Sequence, residues 1–156
     1  MKKIFTLLVI AVFLVSCTSS TPNRTSQVFQ PQNIVPTLIL QSNLYGAGQE
    51  NILEQRTVID NAADFNILIN KMNIVNNTMF PPISTSVDFN THKVIAVFDQ
   101  IRGNGGHSID ITNVVENQNN VTVTVQRLLT GGLTTVVTQP FHIVKIPTTN
   151  KPIIFN

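Results

Sequence analysis

The chain has 156 residues, with ten Lys and Arg against eight Asp and Glu and a formal charge of +2. Lys2 and Lys3 lie within the first sixteen residues, so the remainder balances eight cations against eight anions, which excludes the basic patch on which nucleic-acid binding depends. Cys17 is the one cysteine, so a disulfide framework, a thiolate zinc site and a cysteine nucleophile are excluded from everything that follows it.

Lys2 and Lys3 precede an apolar run from Ile4 to Val15, far shorter than the roughly 20 residues that span a bilayer. Residues 1–16 therefore read as a signal peptide. Their end, Leu14-Val15-Ser16-Cys17, resembles a bacterial lipobox, which implies a cysteine that is diacylated on sulfur, freed by signal cleavage and acylated again on its new amino group. Each buried CH₂ contributes about 0.8 kcal/mol, so two or three acyl chains on Cys17 give stable attachment where one does not. The expected location is the bacterial cell envelope, on the outer membrane, with the membrane held by lipid and not crossed. Residues 17–33 are polar and punctuated by proline, the composition of a disordered tether. Residues 34–156 are expected to form a single β-rich domain.

Within that domain, residues 37–45 and 52–59 carry alternating apolar and polar side chains on either side of Gly46-Ala47-Gly48-Gln49, which reads as a hairpin. The period then changes. Phe65, Leu68, Ile69 and Met72 fall on one face of a helix over 62–73, with Asn61 as its N-cap. Asn76-Asn77 and Pro81-Pro82 end it in a loop over 73–82. Val94-Ile95-Ala96-Val97-Phe98, within 93–101, is too continuously apolar for a strand with one wet face, and so predicts a central strand covered on both sides. Ile109, Ile111 and Val114, then Val121, Val123 and Val125, alternate with polar residues around Asn117-Gln118-Asn119-Asn120, predicting an antiparallel hairpin. Phe141, Ile143 and Ile146, with Ile153 to Phe155, predict two closing strands around a turn at 147–151. The fold expected is mainly β in the α+β class: an antiparallel β-sandwich or curled sheet of seven to nine strands with one packed helix.

Gly103-Asn104-Gly105-Gly106-His107-Ser108 is the most unusual stretch, because its glycines permit positive φ and close approach of another chain. It reads as a tight turn or as a contact loop. A phosphate cradle would need a helix to follow, and the residues after it alternate like a strand. His107, Ser108 and Asp110 have the residue types of a hydrolase, but neighbours in an extended strand point to opposite faces and no G-x-S-x-G elbow is present. His92, His107 and His142 match no compact metal motif. No catalytic residue, no cofactor and no metal ligand are expected.

Asp64-Phe65, Val87-Asp88-Phe89, His92 to Phe98, Gly105-Gly106-His107-Ser108-Ile109 and Thr138-Gln139-Pro140-Phe141-His142-Ile143-Val144 with Ile146-Pro147 form an ordered set over residues 56–156. In that order it resembles the C-terminal domain of the PrcB family, named for a lipoprotein subunit of a bacterial surface protease complex. The family carries a tyrosine where this chain has His107. The resemblance implies a non-catalytic protein-binding module that assembles or stabilises an exported protease. The contact surface expected on this chain is Arg102, Gly103, Asn104, Gly105, Gly106, His107 and Ser108 with Pro140 and Phe141. The glycine-rich loop and Gln139-Pro140-Phe141 are also similar to loops of chagasin-type inhibitors of cysteine proteases, which gives the alternative of an inhibitor.

Overall fold

The computed structural model describes residues 28–76 and 87–156. The signal peptide, Cys17, most of the tether and the loop at 77–82 lie outside the described residues. In chain order the elements are β1 (Gln32–Asn33), β2 (Thr37–Leu44), β3 (Gln55–Ile59), α1 (Ala62–Asn76), β4 (His92–Phe98), β5 (Asp110–Glu116), β6 (Val121–Gln126), β7 (Gln139–Pro147) and β8 (Ile153–Phe155). They form two four-stranded sheets, β2-β7-β4-β3 and β1-β5-β6-β8. All pairs are antiparallel except β6 with β8. The mainly β sandwich with one packed helix is the architecture expected.

Strand β4 explains why there are three layers. Its residues Val94 to Phe98 are all fully buried, between β7 and β3 in the sheet. Because strand side chains alternate, Val94, Ala96 and Phe98 enter a core with Phe65, Leu68 and Met72 of α1. Ile95 and Val97 enter a second core with Val114, Val121 and Val123 of the other sheet. β7 divides the same way, Phe141 and Ile143 toward the helix, Val144 and Ile146 toward the second sheet. The Asn61 side chain accepts from Asp64 N at 2.9 Å, the cap the sequence predicts. The helix runs to Asn76 rather than 73, since Asn73 alone costs a helix only a few tenths of a kcal/mol, far less than proline.

Two local expectations are corrected. Strands β2 and β3 do not form a hairpin: they lie at opposite edges of one sheet, with β7 and β4 between them, about 14 Å apart at the usual strand spacing. The connection through Gly46-Ala47-Gly48-Gln49 is a compact loop, not a hairpin turn. The Glu50 carboxylate accepts from Gly46 N at 2.7 Å, Gly48, Ala47 and Asn51 have positive φ, and Ile52 is driven into the helix-side core. The two closing strands expected around 147–151 are β7 and β8, and they lie in different sheets. The 148–152 connection crosses between the sheets and lays β8 parallel to β6, where Ile153 and Phe155 pack on the inter-sheet core. Finally, Gln32 and Asn33, assigned to the tether by composition, pair with Glu116 and Val115. Ile34 drives this pairing: its side chain packs on the inter-sheet core and its N–H donates to Val114 O at 2.9 Å.

Candidate functional site

Three connections meet at one end of the β2-β7-β4-β3 sheet: residues 45–54, 99–109 and 127–138. The second and third pair along much of their length. Arg102 and Thr138 exchange backbone hydrogen bonds at 2.7 and 3.0 Å, Gly105 N donates to Thr134 O, and Gly132 N and Gly131 N donate to Gly105 O and Gly106 O. Ser108 N closes the ladder on Leu129 O at 3.1 Å. The Asn104 side chain donates to Gly132 O, which leaves its oxygen to accept from His107 Nε2 at 2.9 Å and assigns the proton to that nitrogen.

Buried charge fixes the base of this tip. Asp99 is fully buried, and its carboxylate receives Arg102 at 2.7 Å and Arg127 at 2.6 Å. Burial pushes the Asp99 carboxyl up, but hydrogen bonds from Arg127 and Arg102 outweigh it and hold the group below the usual carboxylate value. Arg127 also reaches Glu54 at 2.7 Å, and the Gln139 amide donates to Ile52 O and Asp99 O. All three connections are thereby tied together.

In the two paired connections, 99–109 and 127–138, two glycines have positive φ. At Gly106 (φ 81°) a Cβ would stand 2.9 Å from Gly132 N, and at Gly131 (φ 109°) 2.5 Å from His107 Nε2. The Gly105 Cβ position is blocked by Thr134 at 2.8 Å, while Gly103 faces open space. Of the residues singled out in sequence, then, Gly105 and Gly106 hold the two loops against each other, and Gly103 alone of the three is unconstrained. Arg102 is committed to Asp99. Phe141 is 1% exposed and stacks on Phe98 with ring centroids 5.7 Å apart, so it serves the core and not a protruding contact.

The two segments nevertheless meet. His107, Ser108, Pro140 and Phe141, with Gln41, Asn43 and Leu129, line a cleft of about 190 Å³. Asn43 Oδ1 is buried and has no hydrogen-bond partner among the described residues. The Ser108 hydroxyl donates to Asp110 and accepts from Leu129 N, and Gln41 donates to the other Asp110 oxygen at 2.7 Å. His142 Nδ1 accepts from Ile111 N at 3.0 Å. Burial pushes its imidazole below the ordinary histidine value, and the charge of Asp110 opposes this in part. Among the described residues neither His107 nor His142 hydrogen-bonds Ser108, and no three His, Cys, Asp or Glu side chains are grouped to hold a metal ion.

Residues 127–138 were not singled out in sequence, yet they carry most of the exposed apolar surface of the tip. Leu128, Leu129, Val136 and Val137 are exposed, Leu133 completely so, and Ile101 on the facing loop is exposed as well. The signal was available: two leucines, a Gly-Gly pair and Leu133 to Val137 form a second glycine-centred turn flanked by β-formers. No family model, no curated protein and no solved structure matches the chain.

Proposed function

We propose that the chain is a lipid-anchored protein of the bacterial envelope, probing its surroundings with the three-loop tip as a non-catalytic protein-binding module. In this reading Cys17 carries the acyl chains, the polar residues after it give reach, and the tip holds a partner, an exported protease that the module assembles or stabilises, as in the PrcB family it resembles. One observation carries the reading: six large apolar side chains stand in solvent on two loops that a backbone ladder and a buried ion-pair network hold in place. Exposed apolar clusters on ordered surfaces mark interaction sites, and pre-ordered loops lose less entropy on binding.

The test pairs deletion with a surface change. Deleting the protein should lower the abundance of an exported protease that co-purifies with it, and Leu133→Asp should reproduce the loss while leaving the fold intact. An unchanged protease level in both strains contradicts the proposal. Three loops gathered at one end of a sandwich also favour the alternative of a chagasin-like inhibitor. That reading requires the protein to inhibit a cysteine protease, with inhibition lost in Leu133→Asp; a panel of such proteases left fully active would eliminate it.

A further inference from the structure

Strand β3 ends its sheet: it pairs with β4 and has no second neighbour among the described residues. The phase of its hydrogen bonds follows from β4. Asp99 N donates to Pro140 O, and Thr148 N to Thr91 O, so the odd-numbered residues of β4 turn their backbone groups toward β7 and the even-numbered ones toward β3. The β3 partners of Val94, Ala96 and Phe98 are Ile59, Thr57 and Gln55. These turn inward, and Arg56 and Val58 are left presenting N–H and C=O groups along the open edge.

Beside that edge runs a groove of about 270 Å³ between β3 and α1. Asp60 and Asn61 alone separate Ile59 from the helix, so the first turn of α1, with Asp64, starts at the Ile59 end of β3, and Lys71, two turns on, lines the groove farther from that end. The groove wall on the helix is Asp64, Ile67, Leu68 and Lys71, spaced i, i+3, i+4 and i+7 and therefore in one line. Ile67 is 55% exposed, and Lys71 forms no ion pair among the described residues.

We infer that the β3–α1 groove takes an extended peptide of a partner protein as a fifth strand, antiparallel to β3, with an apolar side chain on Ile67 and an acidic one two residues later on Lys71. The backbone of Arg56 and Val58 supplies the hydrogen bonds, which is strand addition to a sheet edge. The spacing agrees. Ile67 and Lys71 are about 6 Å apart along the helix axis, and side chains two residues apart on a strand are about 6.7 Å apart. Charge sets the direction: an antiparallel strand passes Asp64 first and Lys71 last, so its anion must follow its apolar residue. This surface is separate from the three-loop tip.

The probe is the blocked heptapeptide Thr-Val-Thr-Ile-Thr-Glu-Thr, titrated into the ¹⁵N-labelled full chain in detergent. Amide shifts should move in β3 and along α1 and not in residues 127–138. Val58→Pro removes an outward N–H that no strand among the described residues uses, so it should weaken binding about tenfold with melting little changed. The same peptide N-methylated on the amides that face β3 should lose its shifts at the same concentration, a comparison that needs no protein variant. Lys71→Glu should weaken this peptide and favour one with Lys in place of its Glu. No shift in β3 at about 1 mM peptide, or shifts that Val58→Pro and N-methylation both leave unchanged, overturn the inference. So does self-association through β3 without peptide, which would make a second copy the occupant.

Discussion

Strand β4 and the 127–138 loop are both rich in β-formers, yet among the described residues one is fully buried from Val94 to Phe98 and the other is exposed along nearly all of its length. In β4 every apolar side chain meets a layer, the helix on one side and the second sheet on the other. In the loop, backbone hydrogen bonds to the 99–109 loop form, but no layer covers Leu128, Leu133 or Val136. Hydrogen bonding and polar anchoring hold the tip; apolar burial holds the spine. The contrast shows that order and burial come from different sources in one small domain, and that the tip's apolar surface is available for work other than folding.

The comparison is broken most severely at the spine. Phe98→Ala empties a fully buried site and should cost about 3–5 kcal/mol in urea unfolding, whereas Leu133→Ala should change stability by no more than about 0.5 kcal/mol. A similar cost at both positions would remove the distinction. Asp99→Ala should follow at about 2–3 kcal/mol, because the hydrogen bonds of two arginines lose their buried acceptor. Its effect should concentrate at the tip, with faster hydrogen exchange at Gly105 and Gly132 than in β4.

Gly106→Ala should cost about 1–2 kcal/mol, since the residue sits at positive φ against Gly132 N. Gly103→Ala, facing open space, should be nearly neutral. The glycines also change how a partner assay is read: bulk at Gly105 or Gly106 separates the loops, while bulk at Gly103 or Leu133 tests the surface alone.

The smallest effect is one of pH. His142 is held neutral by burial and its folded value lies below the ordinary 6.5, so the unfolded chain binds the extra proton first. Stability is complete above about pH 6.5 and is lost as pH falls from there toward the depressed value. Asp99 acts lower on the scale. Its depressed carboxyl contributes stability in full above the ordinary carboxylate value of 3.8, and this is lost as pH falls further. Urea titrations of the wild type and His142→Gln should differ in slope between pH 6.5 and 5; parallel curves would mean the ring is not held neutral by the fold.

Much of this architecture was legible because it rests on alternation. Val94 to Phe98 announced a strand covered on both faces, and Phe65, Leu68 and Met72 announced the helix that covers it. Partner choice was not legible, because period 2 states which face is buried and not which strand lies alongside. Thr37 to Leu44 and Gln55 to Ile59 were read as neighbours across Gly46 to Gln49, but the pull of Ile52 and Glu50 into the interior sends the chain over the sheet end instead. The candidate surface was half legible. Glycines at 103, 105 and 106 marked the loop, but the leucines that make it sticky sit some thirty residues later, and only the backbone ladder joins the two.

The most direct test places a photo-crosslinking amino acid at position 133 of the full chain in living cells, with the same residue at Thr124 on β6 as the control. The account predicts an adduct with one exported protease from position 133 and none from position 124. No adduct from 133, or the same adducts from both positions, would contradict it.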